Sequence, residues 1–243
     1  MIRLIRTELM QLHTLRSTYL VALATVVISA VVAWADLSDA GTKGLSTPGE
    51  LRDALVMAPG LVTAMFAALF AASRTAGEYR HHTIAQRALA SPRRWRLLVA
   101  RLATYGVISA LLGVVAFAAS YALAGPVVDA EGMHLSLSSS DLLVIAGEVA
   151  AAGGLFAMLG VSIGFICRSP APAMIVVFGG FIVEKIVGGF IGSAAEYLPF
   201  ALLNSALDID ATMAPASATL ALGGVAAAVA AGSAVLLRRR DVL

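Results

Sequence analysis

Six stretches of this 243-residue chain are apolar almost throughout, and the polar residues are gathered into the segments between them. The stretches run at 18–35, 54–73, 102–124, 142–167, 171–191 and 217–237. Each is at or near the roughly 20 residues that a helix needs to cross about 30 Å of hydrocarbon. The chain is 59% hydrophobic and 13% charged, against about 45–50% and about 25% in globular proteins. So much apolar surface cannot be hidden in a water-soluble core of this size. The expected fold class is all-α, a polytopic membrane protein of six transmembrane helices forming one domain over 18–243. Arginines precede the first stretch and Ala33-Trp34-Ala35 closes it, the pattern of a cleaved signal peptide. The basic region ahead of it is unusually long for one, so the stretch reads as a retained span.

Positive charge fixes the orientation. Short segments rich in Lys and Arg resist translocation and stay on the cytoplasmic side. Of the seventeen Lys and Arg residues, fourteen fall on alternate segments: three before the first span, seven in 74–101, Arg168, and three in the tail. The opposite side holds only Lys43 and Arg52, and Lys185 lies inside the fifth span. Six spans with both termini cytoplasmic satisfy this count. The net charge of +2 follows that topology and forms no nucleic-acid face.

At the amino end, 1–17, Ile2, Ile5, Leu9 and Leu12 recur at helical spacing with Arg3, Arg6, Gln11 and Arg16 off that stripe. This predicts an amphipathic helix in the inner membrane interface. A plain basic flank that only sets orientation is the simpler alternative. In the second span, Pro59 is expected in or near the first turn, where a missing N–H costs little.

The segment 74–101 is too long for a simple connection, since two packed helices need only about 2–8 residues between them. It reads as a structured surface for a soluble partner. Ser91-Pro92 divides it into two short helices, the first around 78–89 lying along the membrane. Glu78 is its sole acid, and an ion pair that fixes the loop geometry is its expected role. The connection 125–141 has no Lys or Arg and belongs outside. The stretch 192–215 mixes Tyr197, Leu198, Phe200 and Leu202 with acids and predicts short external or re-entrant helices at the bilayer edge.

No catalytic signature is found. Gly41-Thr42-Lys43 lacks the glycine of a phosphate loop, and neither Gly-x-Ser-x-Gly nor His-Glu-x-x-His occurs. The four histidines lie outside the apolar stretches, and adjacent His81 and His82 diverge on a helix, so no metal or cofactor site is expected. The single cysteine, Cys167, excludes an intrachain disulfide. Glu184 and Lys185 stand within the fifth apolar run beside Gly188, Gly189 and Gly192. Ionisable groups there cost about 2.5–3.5 kcal/mol or more, so they either face a pathway or protein interface, or snorkel outward from a shorter span.

The residues Ala76-Gly77-Glu78-Tyr79-Arg80, Thr83-Ile84, Leu89-Ala90-Ser91-Pro92-Arg93 and Arg101 resemble the signature between the second and third spans of type 2 ABC exporter permeases. In that family a Glu is followed by Gly-Thr-Ile or a similar triplet, a Leu, a Pro-x-Arg, and a basic residue opening span three. His82 stands here in place of the glycine. Tyr197-Leu198-Pro199 before the last span and the Arg-Arg-Arg-Asp-Val tail are also similar.

The resemblance implies two copies of this chain in a cell inner membrane, each bound to a separate ATPase subunit that carries ATP and Mg²⁺. Glu78, Tyr79, Arg80, Thr83, Ile84, Leu89, Pro92 and Arg93 would then belong to a coupling helix and its flank. Spans one, two and five would line the path, and substrate would leave by alternating access. Two other function classes fit the residues themselves. One is a membrane scaffold or sensor that recruits a soluble partner; the other is an ion-coupled carrier titrating at Glu184 and Glu148.

Overall fold

The computed structural model describes residues 2–38, 47–80, 94–130, 137–209 and 212–239, and every regular element among them is helical. In chain order these are α1 (Ile2–Thr14), α2 (Arg16–Ser38), α3 (Pro48–Arg80), α4 (Arg94–Ala130), α5 (Ser139–Cys167), α6 (Pro170–Ile191), a 3₁₀ turn (Gly192–Tyr197), α7 (Pro199–Ala206) and α8 (Pro215–Arg239). Six of them, α2 to α6 and α8, are long and apolar enough to cross a membrane. The protein is a multi-pass, all-α membrane protein.

The bundle is built around α5, which packs along α3 and α4 and also touches α6 and α8. Small residues make this close approach possible. Ala64, Ala68, Ala72 and Ala76 recur every four residues on α3 and are all buried. Gly160 and Gly164 of α5 lie on that row, where a β-carbon would run into the carbonyl oxygens of Ala68 and Ala72. Gly153 does the same against α4, where a β-carbon would stand 2.8 Å from the Ser109 carbonyl oxygen. Apolar side chains gain little from leaving lipid for protein, so association in a membrane depends on van der Waals contact of this kind.

Both ends of α5 are defined by the sequence around them. Ser138 is its N-cap: the Asp141 N–H donates to Ser138 Oγ at 3.3 Å and the Ser138 N–H to Asp141 Oδ2 at 2.9 Å, a reciprocal pair. Arg168 closes it in the left-handed conformation, φ 56°, its N–H donating to the Gly164 carbonyl. Pro170 then opens α6, in accord with the apolar stretches at 142–167 and 171–191.

Several boundaries differ from those read in the sequence. A second reciprocal cap, Thr47 with Glu50, starts α3 ahead of residue 54. Pro59 therefore lies well inside the helix rather than in its first turn. The same helix runs past Ser73 to Arg80, because Thr75 and Ala76 continue the buried row against α5. Glu78 and Tyr79 thus end the second span and do not begin a separate surface helix. Trp95 to Arg101, expected as part of a loop helix, is the opening of α4, anchored by buried Leu97 and Leu98. That helix also continues through Pro126 into the segment assigned to a connection.

After α6 the chain turns back. In α7, Phe200 stands 4.9 Å from the rings of both Phe156 on α5 and Phe181 on α6, and Leu207 fills the space that a side chain at Gly60 of α3 would take. The least buried span is α6. It touches α3, α5 and the 3₁₀ turn, whereas α8 leans on α5 and α7.

Candidate functional site

One end of the bundle gathers α1, the close of α3, the opening of α4, the close of α5 and the last turn of α8, with Leu12, Leu98, Phe165 and Leu237 in one apolar cluster. At its centre is Arg101, 1% exposed. Its Nε donates to Glu8 Oε1 of α1 at 3.3 Å, and its Nη2 donates to Glu78 Oε1 of α3. The guanidinium carbon lies 5.8 Å from the Phe165 ring centroid. Tyr79 meets Phe165 edge-on at 6.3 Å, and the Arg168 guanidinium carbon lies 5.3 Å from the centre of the Tyr79 ring. Arginine suits such a position because its planar fork serves two carboxylates at once and is weakly hydrated.

The ion pair expected of Glu78 is therefore made with Arg101. What the sequence did not disclose is the third member. Glu8 is 3% exposed, and the buried face of α1 runs through Glu8 and Leu12, whereas Leu9 and Met10 are exposed. The amphipathic stripe is displaced from the predicted one because the arginine of α4 draws the carboxylate inward. One signal was available: Glu8 is the only acid among the arginines of 1–17, as Glu78 is in 74–101.

Among the other residues assigned to the coupling segment, Arg80 forms the last position of α3. Thr83, Ile84, Leu89, Pro92 and Arg93 lie outside the described residues. The structure brings Glu78 and Tyr79 together with Arg101, where α3 ends and α4 opens.

At the opposite end, Arg52 of α3 is 3.2 Å from Glu148 of α5, 3.2 Å from Asp53 and 3.5 Å from Asp208 beyond α7. Glu148 is thus tied to a cation. Glu184 and Lys185 form no close ion pair, although the charge of the lysine still acts on the carboxylate. Glu184 turns toward α7, where its Oε1 accepts the Ala201 N–H at 2.7 Å, and Lys185, exposed, lies about 100° round the helix. A side chain at Gly188 would meet Ala195 of the 3₁₀ turn at ordinary contact distance.

No protein-family model matches the chain, and a search of curated proteins finds no match.

Proposed function

We propose that this chain is the permease subunit of an ATP-driven exporter, a membrane component that moves substrate out of the cytoplasm while a separate ATPase binds ATP and Mg²⁺. The resemblance of 76–101 to type 2 ABC exporter permeases supports it, and the observation that carries it is the contact of Arg101 with Glu8 and Glu78. A soluble subunit bound at 81–93 would push on the ends of α3 and α4. Because Arg101 holds those ends and α1 together, the push would move three helices as one body instead of being lost in a loose loop. ATP can drive such a change only by binding one arrangement more tightly than the other.

In this reading the end bearing Arg101 faces the cytoplasm of a cell inner membrane, with both termini there, in keeping with the excess of Lys and Arg. Two copies pair through the bare face of α6, where Phe178, Ile182, Lys185 and Gly189 are exposed. A lysine facing lipid is costly, and a second copy would shelter it.

The deciding experiment is purification of the chain, in detergent, from cells expressing it with its genomic neighbours, followed by an ATPase assay. A stoichiometric ATPase is the expected companion. Recovery of the chain alone, without ATP hydrolysis, would overturn the exporter reading in favour of the scaffold or carrier.

A further inference from the structure

Helices α6 and α8 leave a gap between them. A cavity of about 320 Å³ fills it, floored by Phe156 of α5, walled by Val183 of α6 and Val225 of α8, and closed at one end by Phe200 of α7. That volume is at the lower end of the range for small-molecule sites, about 300–1,000 Å³. Val176, Val183 and Val187 line it and are themselves exposed on the outer surface of the bundle, so its mouth faces the bilayer. Its one ionisable wall residue is Glu184.

We propose that this cavity binds amphiphilic amines, molecules with a slender apolar body and a single ammonium, drawn from the bilayer with the ammonium at Glu184. The apolar walls take the body, as they would any hydrocarbon chain. Selection comes from the carboxylate. It accepts the backbone N–H groups of Phe200 and Ala201, and the amino end of a helix supplies at most about half a positive charge. An ionised carboxylate has about four acceptor sites, which leaves room for a further donor. No cation among the described residues forms a close ion pair with Glu184; the charge of Lys185 reaches it only from a neighbouring face of α6. In so apolar a setting the attraction between ammonium and carboxylate is stronger than in water, and it offsets the cost of taking the ammonium from the membrane interface because the carboxylate is already withdrawn from water. Binding of this kind needs neither a partner subunit nor ATP.

The test uses the full chain in phosphatidylcholine nanodiscs, with empty nanodiscs as the background, and three probes of equal chain length: decylamine, decanol and decanoate. Equilibrium dialysis should give decylamine at least tenfold tighter binding than decanol, and decanoate the weakest. Glu184→Gln keeps an acceptor for the Ala201 N–H and removes the charge; it should erase the preference for the amine and leave decanol unchanged. Val225→Trp, which fills the cavity, should abolish saturable binding of all three. Equal binding of amine and alcohol by the unaltered chain would overturn the proposal and mark the cavity as an acyl-chain site. An amine preference that survives in Glu184→Gln or in Val225→Trp would also overturn it. The comparison of probes on the unaltered chain decides even if a variant fails to fold.

Discussion

Arg101 and Glu8 are 93 positions apart in sequence, and their side chains meet at 3.3 Å inside the bundle. The contact makes the amino-terminal helix part of the protein's interior, not merely an attachment to the membrane surface. Removing one member of a buried charge group costs more than replacing the group as a whole, because charges are left without compensation.

Arg101→Met should therefore destabilise the chain by about 3–5 kcal/mol. The triple variant Glu8→Gln, Glu78→Gln, Arg101→Met should recover most of that loss. Unfolding in mixed micelles checks both. A single variant no less stable than the triple would show that the carboxylates are already solvated.

Glu78→Gln should uncouple motion more than it harms assembly. In the complex with its ATPase, we expect the subunits to co-purify in unchanged ratio while ATP-driven transport falls at least tenfold. Unimpaired transport would remove Glu78 from the transmission path.

The glycines of α5 should divide by contact. Gly160→Ala places a methyl group against the Ala68 backbone and should cost about 1–3 kcal/mol, the usual penalty for overpacking. Gly147→Ala meets nothing within 4 Å and should be neutral or stabilising by about 0.5–1 kcal/mol, since glycine is a poor residue inside a helix. Unfolding measurements on the pair separate steric contact from helix propensity.

Orientation and pairing can be read with single cysteines in a Cys167→Ser background. An impermeant maleimide should label Ser140→Cys in intact cells and His13→Cys only after permeabilisation. Oxidation should cross-link two copies through Gly189→Cys and not through Val225→Cys. The reverse labelling pattern would invert the topology, and a cross-link at residue 225 alone would move the interface to α8.

The spans were legible because a run of about 20 apolar residues has few alternatives in a membrane. Their ends were less so, for particular reasons. Thr47 and Glu50 had the spacing of a reciprocal cap, but they lie in a polar stretch with Gly, Pro and Ser ahead of the apolar run at 54–73. Pro59 was expected near a helix start, although membrane helices tolerate an internal proline when neighbouring groups satisfy the freed carbonyl. Residues 74–80 looked like loop because they are polar, yet the row Ala64, Ala68, Ala72, Ala76 pointed to an unbroken helix. At the site, Glu78 was visible as a lone acid that needed a partner. That Arg101 meets both Glu78 and Glu8 depends on how three helices cross, which no local pattern encodes. Likewise, whether Glu184 faced protein or snorkelled outward was open in the sequence, because its partner comes from α7, which folds back to meet it.

Domains made on the ribosome assemble from the amino end first, and the order of residues in the Arg101 cluster suits that sequence of events. Glu8 and Glu78 both precede Arg101, so when the third span enters the membrane its positive charge finds both carboxylates already made. The glycine row of α5 is synthesised only afterwards. Until it arrives, the alanine row of α3 has no partner from α5, so α1 and the second and third spans are joined by charge before the fourth span locks them by shape.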